Sequence, residues 1–495
     1  MFAEPVKKSL FTFLNVIILG VLIFIFLAPL QSCKKDSFSS GGQLTFSNDT
    51  LTFDTLFTSL GSTTKFFTIR NTSKQILRVS KIQLGGGVSS AYRINVDGDS
   101  GVLFEDIEIP AKDSIYVFVE VTVDPNSRNL PFIILDSIQF STNGIQQKVI
   151  LQAYGQNAHF FNADSIETNT VWNNDLPYVI LNYIQIKQGA SLTINSGCNV
   201  YFGGGAAIIV EGDLKVKGAD TASMVTFRGV RLDKDIADRS YDDFPGQYAG
   251  VFFLRNSTGT IEYLKMRNSS YGINVGNIKT SDNPAVNILQ LQAMSLSNAP
   301  TVTIRNSKIY NNAFYGLFGF LGKIVAENVL VYSCGKNVVG IYDGGDYQFT
   351  NCTFYTRGGT YISHSKDPLF YMNNFFEYDA ALPALQSDSS RATFVNCILY
   401  GTLDEEIVAE EAATSLHPID LSFNHCILKT KSLFTPPVFI SCSVDDPQFE
   451  DVLLNKFRPL QNSPASNFGL FTGLSFDIDG FARANPPDAG AYEIQ

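Results

Sequence analysis

The chain has 495 residues, of which 45% are hydrophobic, 13% aromatic and only 17% charged. With 38 Gly and 40 Phe beside one Trp and five Met, a coiled coil, a long helical array and a disordered tail are excluded. The net charge is −11, or −12 without residues 1–32 (34 Lys+Arg against 46 Asp+Glu), so no basic surface exists for sequence-independent nucleic-acid binding.

Residues 1–32 have the parts of an export signal. Lys7 and Lys8 open it, Leu10 to Leu30 is apolar with few interruptions, and Leu30-Gln31-Ser32-Cys33 closes it. A small residue directly before a Cys resembles the lipobox of bacterial lipoproteins. That resemblance implies cleavage before Cys33 and attachment of diacylglycerol to its thiol. The other reading is a transmembrane anchor, since about 20 apolar residues span a bilayer; Asn15, Gly20 and Pro29 interrupt such a span. Residues 33–43 then form a lipidated polar tether. A multiply acylated Cys anchors stably, which places the protein on the outer membrane, at its periplasmic or its cell-surface face.

Residues 44–157 read as short alternating strands: 44–46, 65–70, 76–82, 114–123, 137–140 and 148–153. Turn clusters such as Asn71-Thr72-Ser73, Asp97-Gly98-Asp99 and Asn143-Gly144 separate them. This spacing predicts a β-sandwich. The runs FFTIRNTSKQILRVSKIQL, IPAKDSIYVFVEV and VILQAYGQN resemble Ig-like domains of the abnormal-spindle/hydin type, which implies a spacer or binding module.

From residue 158 to 445 the period changes. Ser307, Val329, Cys352, Asn374, Cys397 and Cys426 recur at spacings of 22, 23, 22, 23 and 29. Three residues earlier stand Ile304, Ala326, Phe349, Tyr371, Phe394 and Phe423; two later stand Ile309, Val331, Phe354, Phe376, Leu399 and Leu428. Just before the anchor come Asn306, Asn328, Asn351, Asn373, Asn396 and, as the exception, His425. A fixed period of this size with strand-like columns predicts an all-β solenoid, a parallel β-helix. Asn tolerates the left-handed backbone of a tight bend, and stacked amides can bond as a ladder, so the Asn column is a corner of the coil. The anchor-column cysteines read as small buried apolar side chains. On this alignment Cys352 and Cys397 lie two coils, about 9–10 Å, apart, whereas Cys397 and Cys426 could face each other, leaving a disulfide between them open. Residues one past the anchor, Lys308 and Thr353, should face outward and tolerate truncation.

The segment DDFPGQYAGVFFLRNSTGTIEYLKMRNSSYGINV resembles right-handed β-helix lipoproteins of Bacteroidota, in which a PGQW-type turn precedes a strand; the aromatic is Tyr248 in this chain. Within residues 446–495, NSPASNFG, DIDGFAR and PDAGAYE resemble the closing motif of choice-of-anchor Q domains, with Asn467 and Phe468 in place of an acidic-small pair. That resemblance implies a C-terminal cap that ends the β-helix.

Four constellations could carry chemistry. Asp233, Asp235, Asp238, Asp242 and Asp243 could bind Ca²⁺, but Lys234 and Arg239 interleave them and a solvated loop is the simpler reading. Asp343 and Asp346, with His364 and Arg357 near, could contact a ligand. They lack the Asp-Asp, Gly-His-Gly and Arg-x-Lys sets of β-helix pectinases, so Asp343-Gly344-Gly345 reads as a turn. The aromatics Tyr310, Phe314, Tyr315, Phe318, Phe320, Tyr371, Phe375, Phe376 and Tyr378 could stack on sugars or fill a wide core. The run Asp404-Glu405-Glu406 with Glu410-Glu411 and a helical tract through Ala409, Ala412 and Ala413 reads as a solvated insertion, and Ser281 to Pro300 as another. No metal or cofactor is expected. The best-supported function is a non-catalytic envelope lipoprotein presenting a β-helix to a polysaccharide or protein partner. The alternatives are a polysaccharide lyase or hydrolase and a structural part of an envelope complex. An aromatic strip without paired carboxylates would favour binding.

Overall fold

The computed structural model describes residues 37–58, 60–124, 132–234, 239–276, 296–375, 388–413, 416–431 and 438–495. Cys33, Asp235, Asp238, Phe376, Tyr378 and most of the insertion Ser281 to Pro300 lie outside the described residues. The chain forms two compact units, the main division falling between Ala153 and Tyr154.

The first unit is a β-sandwich of two five-stranded sheets. Strand Ser114–Val121 shows the governing pattern. Ile115, Val117, Val119 and Val121 are buried while Tyr116, Phe118 and Glu120 face out, the period of two that a half-buried sheet requires. Strands Thr50–Phe57, Tyr92–Val96 and Leu103–Ile109 add to those expected. Asn71 at the first turn cluster is buried and donates to the carbonyls of Gln75 and Ile109 at 2.8 and 2.9 Å, so its side chain supplies bonds the bent backbone cannot.

The second unit is a parallel β-helix with three-sided coils. Its first side is a ten-stranded parallel sheet running from His159–Phe161 to Ile427–Leu428. The other two sides are parallel ladders, joined where strands Tyr315–Glu327 and Val339–Thr350 run through the corner between them. At that corner Leu321 and Asp343 take φ of 50° and 55°, and Gly344 and Gly345 take 108° and 125°. The Asp-Gly-Gly turn is therefore a kink inside a continuous strand. One cluster of buried side chains runs from Ile166 to Leu428 and includes Ile304, Ala326, Phe349, Phe394 and Phe423 in register. The last three rings stack at 4.6 and 4.9 Å between centroids.

The register corrects the expected alignment at one coil. Phe349 pairs directly with Phe394, so Asn351 and Asn396 belong to successive coils although 45 residues separate them. Strand Phe370–Asn373 pairs with Val339–Ile341 on the second side, which removes Tyr371, Asn373 and Asn374 from the expected columns. The coil is one turn with excursions, and its length happens to equal two ordinary turns. The helical tract is also corrected: Ile407–Glu410 is a strand pairing with Phe370–Asn373.

Asn306, Asn328, Asn351 and Asn396 all take φ between 47° and 53°, as does His425, and Asn373 does not share this bend. Asn328 donates to Asn306 Oδ1 at 3.1 Å and Asn396 to Asn351 Oδ1 at 3.3 Å. Next to this corner the cysteines do more than fill space. Cys352 N–H donates to Cys397 Sγ at 3.5 Å, and Cys397 N–H to Cys426 Sγ at 3.4 Å. Ser307 does the same for Leu264 N–H at 3.0 Å. The left-handed bend turns these amides away from any carbonyl, so a side-chain acceptor on the next coil satisfies them. All six described cysteines are free thiols, including Cys397 and Cys426.

The C-terminal segment, expected to close the end of the coil, packs back along the first side. Its exterior there carries the row Tyr310, Tyr332, Tyr355 and Tyr400, which Phe449, Phe457 and Tyr492 cover. The Asn column clips the segment down. Asn396 exchanges bonds with Leu470 at 2.7 and 2.8 Å, Asn351 donates to Asp488 O, and Arg483 donates to Asn328 Oδ1 at 2.7 Å. Arg483 and Glu493 form an almost fully buried ion pair at 3.2 Å, and Asp477 Oδ2 accepts from Glu493 N–H at 2.9 Å. Thus DIDGFAR and PDAGAYE hold each other through Asp477, Arg483 and Glu493. Lys308 and Thr353 alternate with the core residues Ile309 and Phe354 and so face out of the coil, but onto the C-terminal segment and not into solvent: Lys308 pairs with Asp479 at 2.9 Å, and buried Thr353 accepts from Ala491 N–H at 2.9 Å.

Candidate functional site

The residues singled out in the sequence do not assemble into one catalytic group. Asp343 is fully buried at its kink, where its N–H donates to Asn373 Oδ1 at 3.2 Å. Asp346, three residues on, forms a two-pronged pair with Arg391 at 3.1 and 2.5 Å. His364 Nε2 meets Glu406 Oε1 at 2.9 Å, with both side chains fully buried. Glu406 also accepts from the amides of Leu369 and Leu403 at 2.9 and 2.8 Å. It is therefore an internal anchor for two excursions, where a solvated charge was expected. Arg357 donates to Val452 O and Leu453 O. Asp242 pairs with Arg228 and Arg267, and Asn311 donates to the carbonyls of Asp242 and Asp243, so this loop is clamped to the coil. Among the described residues no group of three or more His, Cys, Asp or Glu is placed to hold a metal ion.

The second side of the coil presents a strip of aromatic rings outside the core. In one exterior column Phe252, Asn274, Phe318, Gly340 and Tyr371 follow each other across successive strands. Tyr271 and Tyr315 pair in the neighbouring column. The rings form a continuous chain. Tyr271 meets Phe314 at 5.1 Å and Tyr315 at 6.1 Å, Tyr315 meets Phe318 at 5.0 Å, and Tyr342 bridges Phe318 at 5.4 Å to Tyr371 at 5.3 Å. Four steps of about 4.8 Å from the Phe252 strand to the Tyr371 strand make the strip about 19 Å long.

Local sequence explains the strip. Alternation along each strand sends Leu317, Val339 and Ile341 inward and Phe318 and Tyr342 outward. Gly340 leaves the space that Tyr315 and Tyr342 occupy, since a Cβ there would come within 2.9 Å of Tyr315 and 3.2 Å of Tyr342. Phe314 and Tyr271 remain 44% and 37% exposed, far more than core packing leaves. Polar groups border the rings. Tyr371 donates to Glu410 at 2.7 Å, the Tyr315 and Tyr342 hydroxyls meet at 3.3 Å, and Lys336 Nζ lies 5.4 Å from the Tyr315 ring. Burial, then the Tyr315 hydroxyl, raises the Tyr342 pKa above the ordinary phenol range. The strip thus offers apolar faces with hydrogen-bonding edges, the pattern that carbohydrate rings match. Phe314, Tyr315, Phe318 and Tyr371 were among the sequence candidates. Tyr310 lies on the first side, stacked on Tyr332 at 4.7 Å, and Phe320 is buried. Phe252, Tyr271 and Tyr342 were missed, although each stands at an outward position of its strand.

Comparison with known proteins bears on the fold. No curated protein sequence matches the chain. Among solved structures, the ASH / PapD-like domain of human CEP192 is 11% identical, with a TM-score of 0.17, over 26% of this chain and 96% of that one. The periplasmic alginate epimerase AlgG is 10% identical with a TM-score of 0.18, over 54% of this chain and 76% of that one. The catalytic domain of a GH87 alpha-1,3-glucanase is 7% identical with a TM-score of 0.20, over 77% and 90%. Similarities this slight carry no argument about this chain. Residues 293–431 match the family model described as right handed beta helix region, and the parallel ladders on either side of them carry the same architecture: the second unit is a right-handed parallel β-helix.

Proposed function

We propose that the protein is an envelope lipoprotein, anchored to the outer membrane through Cys33, whose β-helix binds a polysaccharide along the exterior aromatic strip without transforming it. The observation that carries this reading is the strip itself. Seven rings lie on the outer face of the coil along about 19 Å, with Tyr271 and Phe314 exposed and Tyr315 buried among its neighbours. That length suits roughly four sugar units, if each covers about one coil spacing. The burial of Asp343, the pairing of Asp346 with Arg391 and the enclosure of His364 with Glu406 support binding over hydrolysis, because glycoside hydrolysis needs two carboxylates set across one bond. The charge and polarity of residues 1–43 support the anchor.

Glycan-array screening of the mature lipoprotein in detergent, followed by affinity electrophoresis, tests the reading. Tyr271→Ala with Phe314→Ala should weaken binding to the selected glycan about tenfold or more, since two half-exposed stacking contacts are lost. Undiminished binding would remove the strip from the site. Release of new reducing ends during incubation would replace the binding reading with the enzymatic one. Cys33→Ala should abolish labelling by a radioactive fatty acid, and persistent labelling would remove the anchor.

A further inference from the structure

The cysteine column has an open end. Strands Ser390–Val395, Ile419–Asn424 and Phe439–Ile440 pair in register, which puts Cys397, Cys426 and Cys442 at one position on three successive coils. Ile427 opposite Ser443 carries the last register past the cysteines. Cys352, Cys397 and Cys426 are fully enclosed, whereas Cys442 is only half-buried.

Geometry singles out the last pair. Adjacent parallel strands lie about 4.8 Å apart, and a disulfide needs Cα atoms about 4.4–6.8 Å apart with side chains that do not diverge. These side chains run side by side. Cys426 Sγ lies 3.5 Å from Phe394 O, and Cys442 Sγ stands in the same relation to Phe423 O one coil on, at 3.4 Å. Cys426 N–H also donates to Cys442 Sγ, which seats that sulfur over the Cys426 residue. The last coil is lightly held. Its strand supplies two residue pairs, and Phe423, His425 and Leu428 donate to Val438 O, Ile440 O and Ser443 O at 2.6, 3.0 and 2.8 Å. Ile440 and Val444 remain exposed, so this coil is free to make the small approach that a bond requires.

We infer that Cys426 and Cys442 are an oxidisable pair whose disulfide clips the last coil onto the solenoid. With a small-molecule disulfide as oxidant, the Cys442 sulfur attacks one sulfur of the reagent and displaces the other half as a thiol. The Cys426 sulfur then attacks Cys442 and displaces the second half. One protein S–S bond forms and one reagent S–S bond breaks. The protons of both protein thiols end on the reagent thiols, so the protein is oxidised by two electrons and the reagent reduced by two. Cys352 and Cys397 share the column but are enclosed, beyond reach of the first step. The inference rests on the column alone, and the envelope reading adds only surroundings in which disulfides persist.

Incubation of the mature lipoprotein in detergent with oxidised glutathione tests it. The Cys426 thiol, then burial, pushes the Cys442 thiol up, so the reaction is run at pH 8.5 to supply thiolate. Cleavage with trypsin and a Glu-specific protease separates Cys397 from Cys426 and should yield residues 412–429 joined to 432–450. Cys442→Ser should abolish that product, and Cys426→Ser should leave glutathione on Cys442; both should fold, since Ser307 occupies the same column. In the cross-linked protein, hydrogen exchange at Phe423, His425 and Leu428 should slow about tenfold or more, and reduction should restore it. A glutathione adduct on Cys442 that Cys426 never displaces, a Cys397–Cys426 bond in its place, reaction only in urea, or unchanged exchange at those three amides would each overturn the inference.

Discussion

Replacing Cys397 distinguishes two accounts of the cysteine column. Its Sγ accepts from Cys352 N–H at 3.5 Å and lies 3.4 Å from Phe349 O and 3.3 Å from Val395 O, fully enclosed. Cys397→Ala leaves the Cys352 amide buried without an acceptor, which costs about 1–3 kcal/mol. The lost sulfur removes roughly one methylene equivalent of burial, about 0.8 kcal/mol more. Cys397→Ser keeps an acceptor and a donor, and Ser307 shows that a hydroxyl fits this column, accepting from Leu264 N–H at 3.0 Å and donating to Arg305 O at 2.7 Å. The serine variant should therefore be the more stable of the two by about 1–2 kcal/mol. If the sulfur were only an apolar filler, the order would invert, because an unpartnered buried hydroxyl costs about 1–3 kcal/mol. Urea midpoints of the two variants give the order, and hydrogen exchange at the Cys352 amide locates the effect. A serine variant less stable than the alanine variant, or unchanged exchange at Cys352 in Cys397→Ala, would refute the hydrogen-bonding role.

Arg483→Ala breaks a buried ion pair and the contact to Asn328, and should cost about 3–5 kcal/mol; hydrogen exchange should rise together in residues 456–495 and at Leu330 to Tyr332, and a rise in the former alone would separate the segment from the tyrosine row. Gly340→Ala should push Tyr315 and Tyr342 apart and weaken glycan binding with little change in urea midpoint, whereas undisturbed binding would show that ring spacing is immaterial. Burial pushes the Cys198 thiol up to about 11 and the Cys334 thiol up to about 12. Both should stay protonated at pH 8 and resist iodoacetamide until the protein is denatured, and rapid native labelling would place them nearer solvent.

The solenoid was legible wherever a coil kept its 22- or 23-residue period, as from Ile304 to Phe354. There, each column residue is fixed by stacking on its counterpart, so the sequence repeats because the environment repeats. The reading failed between Asn351 and Asn396. Tyr371 and Asn373 imitate an aromatic and a corner, and 45 residues match two expected coils of 22 and 23. Only pairing could show that Phe370–Asn373 continues Val339–Ile341. Glu406 was illegible for a related reason. Its partner His364 lies 42 residues away, and a Glu inside Asp-Glu-Glu carries no local sign of burial. The aromatic strip was half legible: alternation marks Phe318 and Tyr342 as outward, but joining them with Tyr271 needs the register of three strands.

The aromatic strip follows from how the fold treats its sides. A parallel coil exposes three exterior faces, and bulky outward side chains must be covered, solvated or used. The first side covers its tyrosine row with the C-terminal segment and its arginines Arg228 and Arg267 with the Asp242 loop. Both covers are fixed by side chains already committed to the coil, the Asn column for one and Asn268 and Asn311 for the other. On the second side Tyr271 and Phe314 instead stay 37% and 44% exposed. Loosening either cover should therefore expose the first side while the strip, which lies on the second side, keeps its affinity for a glycan.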